Sequence, residues 1–271
     1  MASEAPTGGR QGVTASDGHE RIAAAFASSG KRAALMPYLM GGYPTLAGSR
    51  EIAAAYAAGG ADLVELGVPF SDPLADGPVI HAAGTEALRR GTTVDGVLDV
   101  GAELARRLPV ILMCYANLVL ARGVEAFATA LAERGLSGLI VPDLPLEEAP
   151  AALAACDAAG IALIGLVAPT TPPDRLRAIG ERARGFLYAV SVAGTTGERT
   201  DGDFAGLVGR VKAATEVPVA VGFGIGSPER AAEAADAGAD GVIVGSRLVR
   251  AAGAGEDIAQ LVRAFAAGLT R

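Results

Sequence analysis

The amino-acid sequence predicts an α/β fold, a single (β/α)8 TIM barrel with an extra N-terminal helix. Three observations predict it. Eight short apolar runs recur along the 271 residues, each bounded by Gly, Pro, Asp or Asn. The runs are apolar on both faces, as buried parallel strands require and half-exposed antiparallel ones do not. Ala-rich segments with helical spacing separate them, and eight strand–helix units in about 250 residues is the arithmetic of this barrel. An open doubly wound sheet is the alternative on pattern alone.

The elements follow in chain order. Residues 1–18 are small, polar and Gly-rich and read as a flexible tail, which leaves 19–271 as the barrel domain. Segment 19–29 (HERIAAAFASS) reads as a helix able to plug the bottom of the barrel. The strand runs are 35–40, 62–67, 109–115, 138–143, 162–167, 186–192, 217–224 and 241–246. The helical segments are 46–59, 94–107, 122–134, 146–159, 173–183, 203–214, 227–237 and 255–268. Ser227-Pro228 is a helix start, with Ser as N-cap and Pro at the first position. Gly135, Gly160 and Gly238 stand where helices end. A weak internal repeat, Gly60-Ala61-Asp62 and Gly238-Ala239-Asp240, each preceding a strand, supports recurring βα modules.

Composition removes several classes of function. Lys and Arg number 23 against 30 Asp and Glu, a net charge of −7, which argues against nucleic acid as a main partner. No apolar stretch reaches the roughly 18 residues of a membrane span. With 51% hydrophobic residues the chain can bury a core and is not disordered. Cys114 and Cys156 read as reduced core thiols, and two Cys with the distant His19 and His81 form no metal site. The N-terminus lacks signal-peptide order, so a cytoplasmic location is expected.

Catalytic groups of such barrels sit at the C-terminal ends of strands and in the loops that follow. Glu65 lies within an apolar strand, and alternation turns it away from the face of Val64 and Leu66. An inward acid is costly to bury. Either it accepts backbone or Arg hydrogen bonds, or its raised pKa suits general acid–base work. In the loop that follows, Asp72 looks like a turn former, and Asp76, before Gly77-Pro78, is either a functional acid or the N-cap of the next helix. Gly222-Phe223-Gly224-Ile225-Gly226 and Gly245-Ser246 follow the last two strands, the latter opening a short helical turn. Glycine loops beside helix N-termini bring N–H groups to an anion, and these two loops are the recurrent phosphate site of this barrel. The plainer reading is tight turns. The Gly-bounded loop 191–202 is either a mobile lid or an ordinary surface loop.

Together these segments resemble the tryptophan synthase alpha subunit family. ELGVPFSDPLADGP (65–78) is similar to its most recognisable stretch, and MCYANL (113–118), VPDLPLEE (141–148), GTTGER (194–199), GFGIGSPE (222–229) and GVIVGS (241–246) follow in its order. The resemblance covers about residues 20–268. It implies a lyase that cleaves indole-3-glycerol phosphate to indole and glyceraldehyde 3-phosphate, with no cofactor on this chain. It assigns Glu65 as acid/base and Asp76 as the carboxylate on the indole N–H. Tyr38, Met113, Tyr115, Ile140, Tyr188 and Phe223 would line the indole pocket, and Gly194, Thr196, Gly197, Gly224, Gly245 and Ser246 would hold phosphate. It also implies a beta subunit partner carrying pyridoxal phosphate, in an alpha2-beta2 heterotetramer. Loop 69–77 and region 143–148 would meet that partner, with Asp72, Glu147 and Glu148 as acidic contacts.

The chain departs from the family pattern at Val192, at His81 and at Met40-Gly41-Gly42-Tyr43-Pro44, none of them a catalytic position. Two further readings are a stand-alone indole-releasing lyase and a non-catalytic barrel that activates a partner. A phosphosugar isomerase is disfavoured because no His or Lys sits at a strand end.

Overall fold

A computed structural model describes residues 17–190 and 204–270. Eight parallel strands close into a barrel in sequence order: β1 (Ala34–Met40), β2 (Val64–Gly67), β3 (Val110–Met113), β4 (Gly138–Ile140), β5 (Ala162–Val167), β6 (Leu187–Val190), β7 (Val219–Gly222) and β8 (Gly241–Val244). Pairing of β1 with β8, Ala34 opposite Gly241, closes the ring and removes the open-sheet alternative.

Strand alternation divides the core into two buried layers. Outward residues such as Leu35, Leu39, Val64, Leu66, Leu112 and Val242 pack under the helices. Inward residues such as Met36, Tyr38, Ile111, Ile140, Ile164, Tyr188 and Ile243 fill the barrel. Both faces are apolar because neither meets water.

The helices are α1 (Gly18–Ser28), α2 (Leu46–Ala58), α3 (Pro78–Arg89), α4 (Val94–Ala105), α5 (Ala116–Arg122), α6 (Val124–Glu133), α7 (Pro150–Ala159), α8 (Pro173–Glu181), α9 (Phe204–Lys212), α10 (Pro228–Asp236), α11 (Ser246–Ala254) and α12 (Ile258–Gly268). Helix α1 starts at Gly18, one residue earlier than expected, because Asp17 caps it by accepting from the His19 N–H. It does seal the barrel bottom. Ile22 is fully buried in the inner cluster, Phe26 packs on Phe186, and Arg21 donates to the carbonyls of Gly135, Ala105 and Leu108.

Three elements differ from expectation. Helix α3 stands where no segment was assigned, because it opens on Gly77-Pro78, which reads as a loop. Its N-cap is Gly77, with Pro78 at the first turn, so Asp76 is not a cap and its carboxylate is available for other work. The expected segment 122–134 is α6, and an unassigned helix, α5, precedes it, the two separated at Gly123, whose φ of 84° ends the helical path. The turn after β8 is a full nine-residue helix, α11. Lastly, Ser227 caps α10 as expected, accepting from the Arg230 N–H at 3.4 Å.

Candidate active site

The C-terminal mouth of the barrel holds one recess in which acids and glycine loops meet. It encloses about 510 Å³ of free space, its opening included, within the range of small-molecule sites. Its walls include Tyr38, Glu65, Asp76, Met113, Tyr188 and Phe223, with Gly224, Gly245 and Ser246 at one end. A wider recess of about 890 Å³ between α7 and α8 is lined by groups such as Leu144, Leu153 and Ile179 and has no acid in its lining.

Glu65 points inward from β2, opposite Tyr38 of β1 and Ile111 of β3. It is 1% exposed, and neither carboxylate oxygen has a hydrogen-bond partner among the described residues. Burial first, and then the nearby Asp76 charge, raise its pKa to about 8. An unpaired buried carboxylate would be expensive, so the group stays neutral and keeps its proton at pH 7. This geometry removes the reading of Glu65 as a carboxylate satisfied by backbone or Arg.

Asp76 ends the β2–α3 loop and faces the same space. Burial raises its pKa, while a hydrogen bond from Tyr115 and the charge of His81 pull it back. The two acids therefore differ in environment, one unpaired and one held by a phenol, and so can differ in charge at one pH.

Two tyrosines flank Glu65. Tyr38 lies over Gly67 of β2 and Tyr188 over Gly222 of β7; a Cβ on either glycine would collide with the ring. Burial first, then the two carboxylates, push both phenols well up, so they stay neutral. The ring centroids of Tyr188 and Phe223 are 6.0 Å apart. Phe223 has φ of 73°, rare for a residue with a Cβ, and Gly224 follows at 75°. This bend carries the chain back across the cavity after β7. On the far side, Gly245 leads into α11 with no side-chain cap, and Gly245, Ser246 and Arg247 line the recess, so the uncapped N-terminus of that helix stands at its wall.

Two further expected wall residues adjoin the lining. Ile140 is fully buried in the inner core, paired with the wall residue Met113 and with Ile164. Tyr115 has left the strand and precedes α5. Its ring stacks on Phe70 at 5.1 Å, its hydroxyl accepts from the Ala75 N–H at 3.1 Å, and it bonds Asp76, so it supports the loop that brings Asp76 to the cavity. Gly194, Thr196, Gly197 and Val192 lie outside the described residues. Four lining residues were missed: Ile80, Ile225, Ile243 and Arg247. The alternation that identified Glu65 also turns Ile243 inward between Val242 and Val244. Arg247 adjoins the Gly245-Ser246 signal, and Ile80 lay in the unassigned helix.

Of the acidic surface residues, Glu147 is already engaged by Arg175 through bonds of 2.6 and 3.0 Å. Asp72 accepts from Ser71 at 2.5 Å, in keeping with a turn former.

Residues 25–269 match the family model of the tryptophan synthase alpha chain. The tryptophan synthase alpha chain of Gloeobacter violaceus is 50% identical over 236 residues, covering 85% of this chain and 86% of the relative. That of Methanosarcina mazei is 48% identical and covers 87% of each. Among solved structures, Mycobacterium tuberculosis tryptophan synthase superposes with a TM-score of 0.87 at 42% identity, over 93% of this chain and 98% of that one. A chain from the tryptophan synthase a2b2 complex of Pyrococcus furiosus gives 0.78 at 32% identity, over 87% and 98%. The barrel, the acids at its mouth and these matches agree: the chain belongs to the tryptophan synthase alpha chain family.

Proposed function

We propose that this chain is a carbon–carbon lyase that cleaves indole-3-glycerol phosphate to indole and glyceraldehyde 3-phosphate. One observation carries the reading. Glu65 is a buried, unpaired acid that holds its proton at neutral pH, and a second acid with a different environment shares its cavity. A retro-aldol step needs this pair. Glu65 gives its proton to C3 of the indole ring, which makes the ring an electron sink. The C3–side-chain bond breaks, its electrons return to the ring, and the adjacent hydroxyl becomes the aldehyde. That hydroxyl's proton passes to Glu65, so the acid ends as it began and the atoms balance.

Asp76, as a carboxylate, accepts from the indole N–H and stabilises the positive charge that develops on the protonated ring. Tyr38, Met113, Tyr188 and Phe223 supply the apolar walls. Gly224, Gly245, Ser246 and the α11 N-terminus take the phosphate; Gly194, Thr196 and Gly197 complete that site by family resemblance. The barrel from 19 onward is the catalytic unit.

The family reading also gives the chain a beta subunit, in an alpha2-beta2 assembly. By that reading the beta subunit would hold pyridoxal phosphate, which would supply the chemistry that joins indole to serine, and this chain's own steps are proton transfers by side chains.

Indole release from indole-3-glycerol phosphate by the purified chain, with beta subunit titrated in, tests the proposal. Glu65→Gln and Asp76→Asn should each lower turnover at least about 100-fold with the fold retained. Near wild-type rates in both would refute the assigned roles. A fast enzyme indifferent to the partner would favour the stand-alone lyase.

A further inference from the structure

Arg247 is the one cationic side chain among the described residues that line the cavity, and the family motif does not account for it. It is the second residue of α11, directly after the Gly245-Ser246 turn. Its guanidinium grips Glu256 through two bonds of 3.1 and 2.7 Å. Glu256 follows Gly255, beyond the C-terminal end of the same helix. The guanidinium is thus engaged beyond the far end of α11, whereas the Cα–Cβ bond of a helical residue leans toward the N-terminus, where the cavity is. Its side chain is 25% exposed and that of Glu256 43%, so water screens the pair and the pair contributes little. A phosphate offers the same fork of oxygens with more charge.

We propose that Arg247 exchanges Glu256 for the substrate's phosphate, making it a specificity-determining residue for phosphorylated substrate and Glu256 its competitor. The inference rests on the reading that this cavity takes indole-3-glycerol phosphate. Glycine loops and a helix end supply N–H groups with partial charge; Arg247 supplies a full one to a dianion, in a molecule whose net charge of −7 opposes anion binding.

The competition predicts opposite effects from the two partners of one ion pair. Arg247→Ala should raise KM for indole-3-glycerol phosphate about tenfold, as loss of a charged hydrogen bond does, with little change for the dephosphorylated analogue indole-3-glycerol. Glu256→Gln should lower KM for the phosphorylated substrate, and the double variant should match Arg247→Ala. Arg247→Lys, which keeps the charge but not the fork, should fall between. If the pair merely clamps α11, both single variants shift KM the same way for both substrates and melt earlier; that result, or an unchanged KM in Arg247→Ala, overturns the proposal. Thermal protection by inorganic phosphate gives a second measurement: present in the wild type, stronger in Glu256→Gln and lost in Arg247→Ala. Protection equal in all three overturns the proposal even if the wild type releases no indole, an outcome that would sink only the broader reading of the cavity.

Discussion

Glu65 is held where its charge is least welcome, and this has consequences for both stability and rate. Its pKa rises from 4.5 in the unfolded chain to about 8 in the folded one. Below about pH 4.5 both states are protonated and the residue costs nothing. As pH rises toward 8 the unfolded state ionises first, so the folded state loses stability across that window. Glu65→Gln removes the ionisation while keeping the shape. It should stabilise the protein at pH 7 by a few kcal/mol, with the gain vanishing near pH 4.5. Thermal melts of both proteins across pH 4–9 measure it; a constant difference would contradict the buried, neutral acid. The same proton is the one delivered to the substrate, so kcat/KM should fall as pH rises through about 8. Tyr115 acts in the opposite sense on Asp76, since its hydrogen bond lowers that pKa. Tyr115→Phe should therefore move the acid limb of kcat/KM upward, as Asp76 becomes protonated at a higher pH. Glu65 was legible in the sequence because an acid in an apolar strand has few explanations. Tyr115 was placed in the pocket by family resemblance, but its hold on Asp76 was not legible, because that depends on leaving the strand two residues after Met113 and meeting Phe70, Ala75 and Asp76 from a distant loop.

At the scale of elements, the internal repeat has a structural meaning. Gly60 and Gly238 both have φ of 91°, and each turns the chain from a helix into a strand. Two residues on, Asp62 accepts from the Leu35 N–H at 2.7 Å and pairs with Lys31 at 2.8 Å. Asp240 accepts from the Val219 N–H at 2.8 Å and pairs with Lys212 at 2.7 Å. In both, an acid at the barrel bottom pins the start of the preceding strand in the ring. Removing either acid leaves a strand N–H unpaired and should cost about 1–3 kcal/mol. Asp62→Ala should cost more than Asp240→Ala, because the Asp62 side chain is 11% exposed and that of Asp240 34%. Urea unfolding measures the order, and KM should be unaffected, since both acids lie at the opposite end of the barrel from Glu65. The strands and most helices were legible because apolar runs and Ala-rich spacing alternate cleanly. Helix α3 and the α5–α6 break were not: one begins with Gly77-Pro78, a loop-like opening, and the other depends on one glycine at positive φ.

For the molecule as a whole, the β2–α3 loop ties the catalytic mouth to the outer surface. Leu74, in this loop, is 78% exposed, the most exposed of the large apolar side chains among the described residues. One residue on, the Ala75 N–H is fastened to Tyr115, and the next residue is Asp76 itself. A partner that covers Leu74 therefore presses on a segment whose other end positions the carboxylate of the indole N–H. The beta subunit of the proposed assembly would act through this loop, stabilising the arrangement in which Asp76 and Glu65 face the substrate together. Leu74→Asp places a charge on the covered face and leaves the cavity walls intact. It should weaken activation by added beta subunit several-fold, while the isolated chain keeps its own rate of indole release. Titrating beta subunit into both proteins and reading indole release separates the two effects. Equal activation of both would mean that the partner couples through another surface, such as region 143–148, where Glu147 is already held by Arg175.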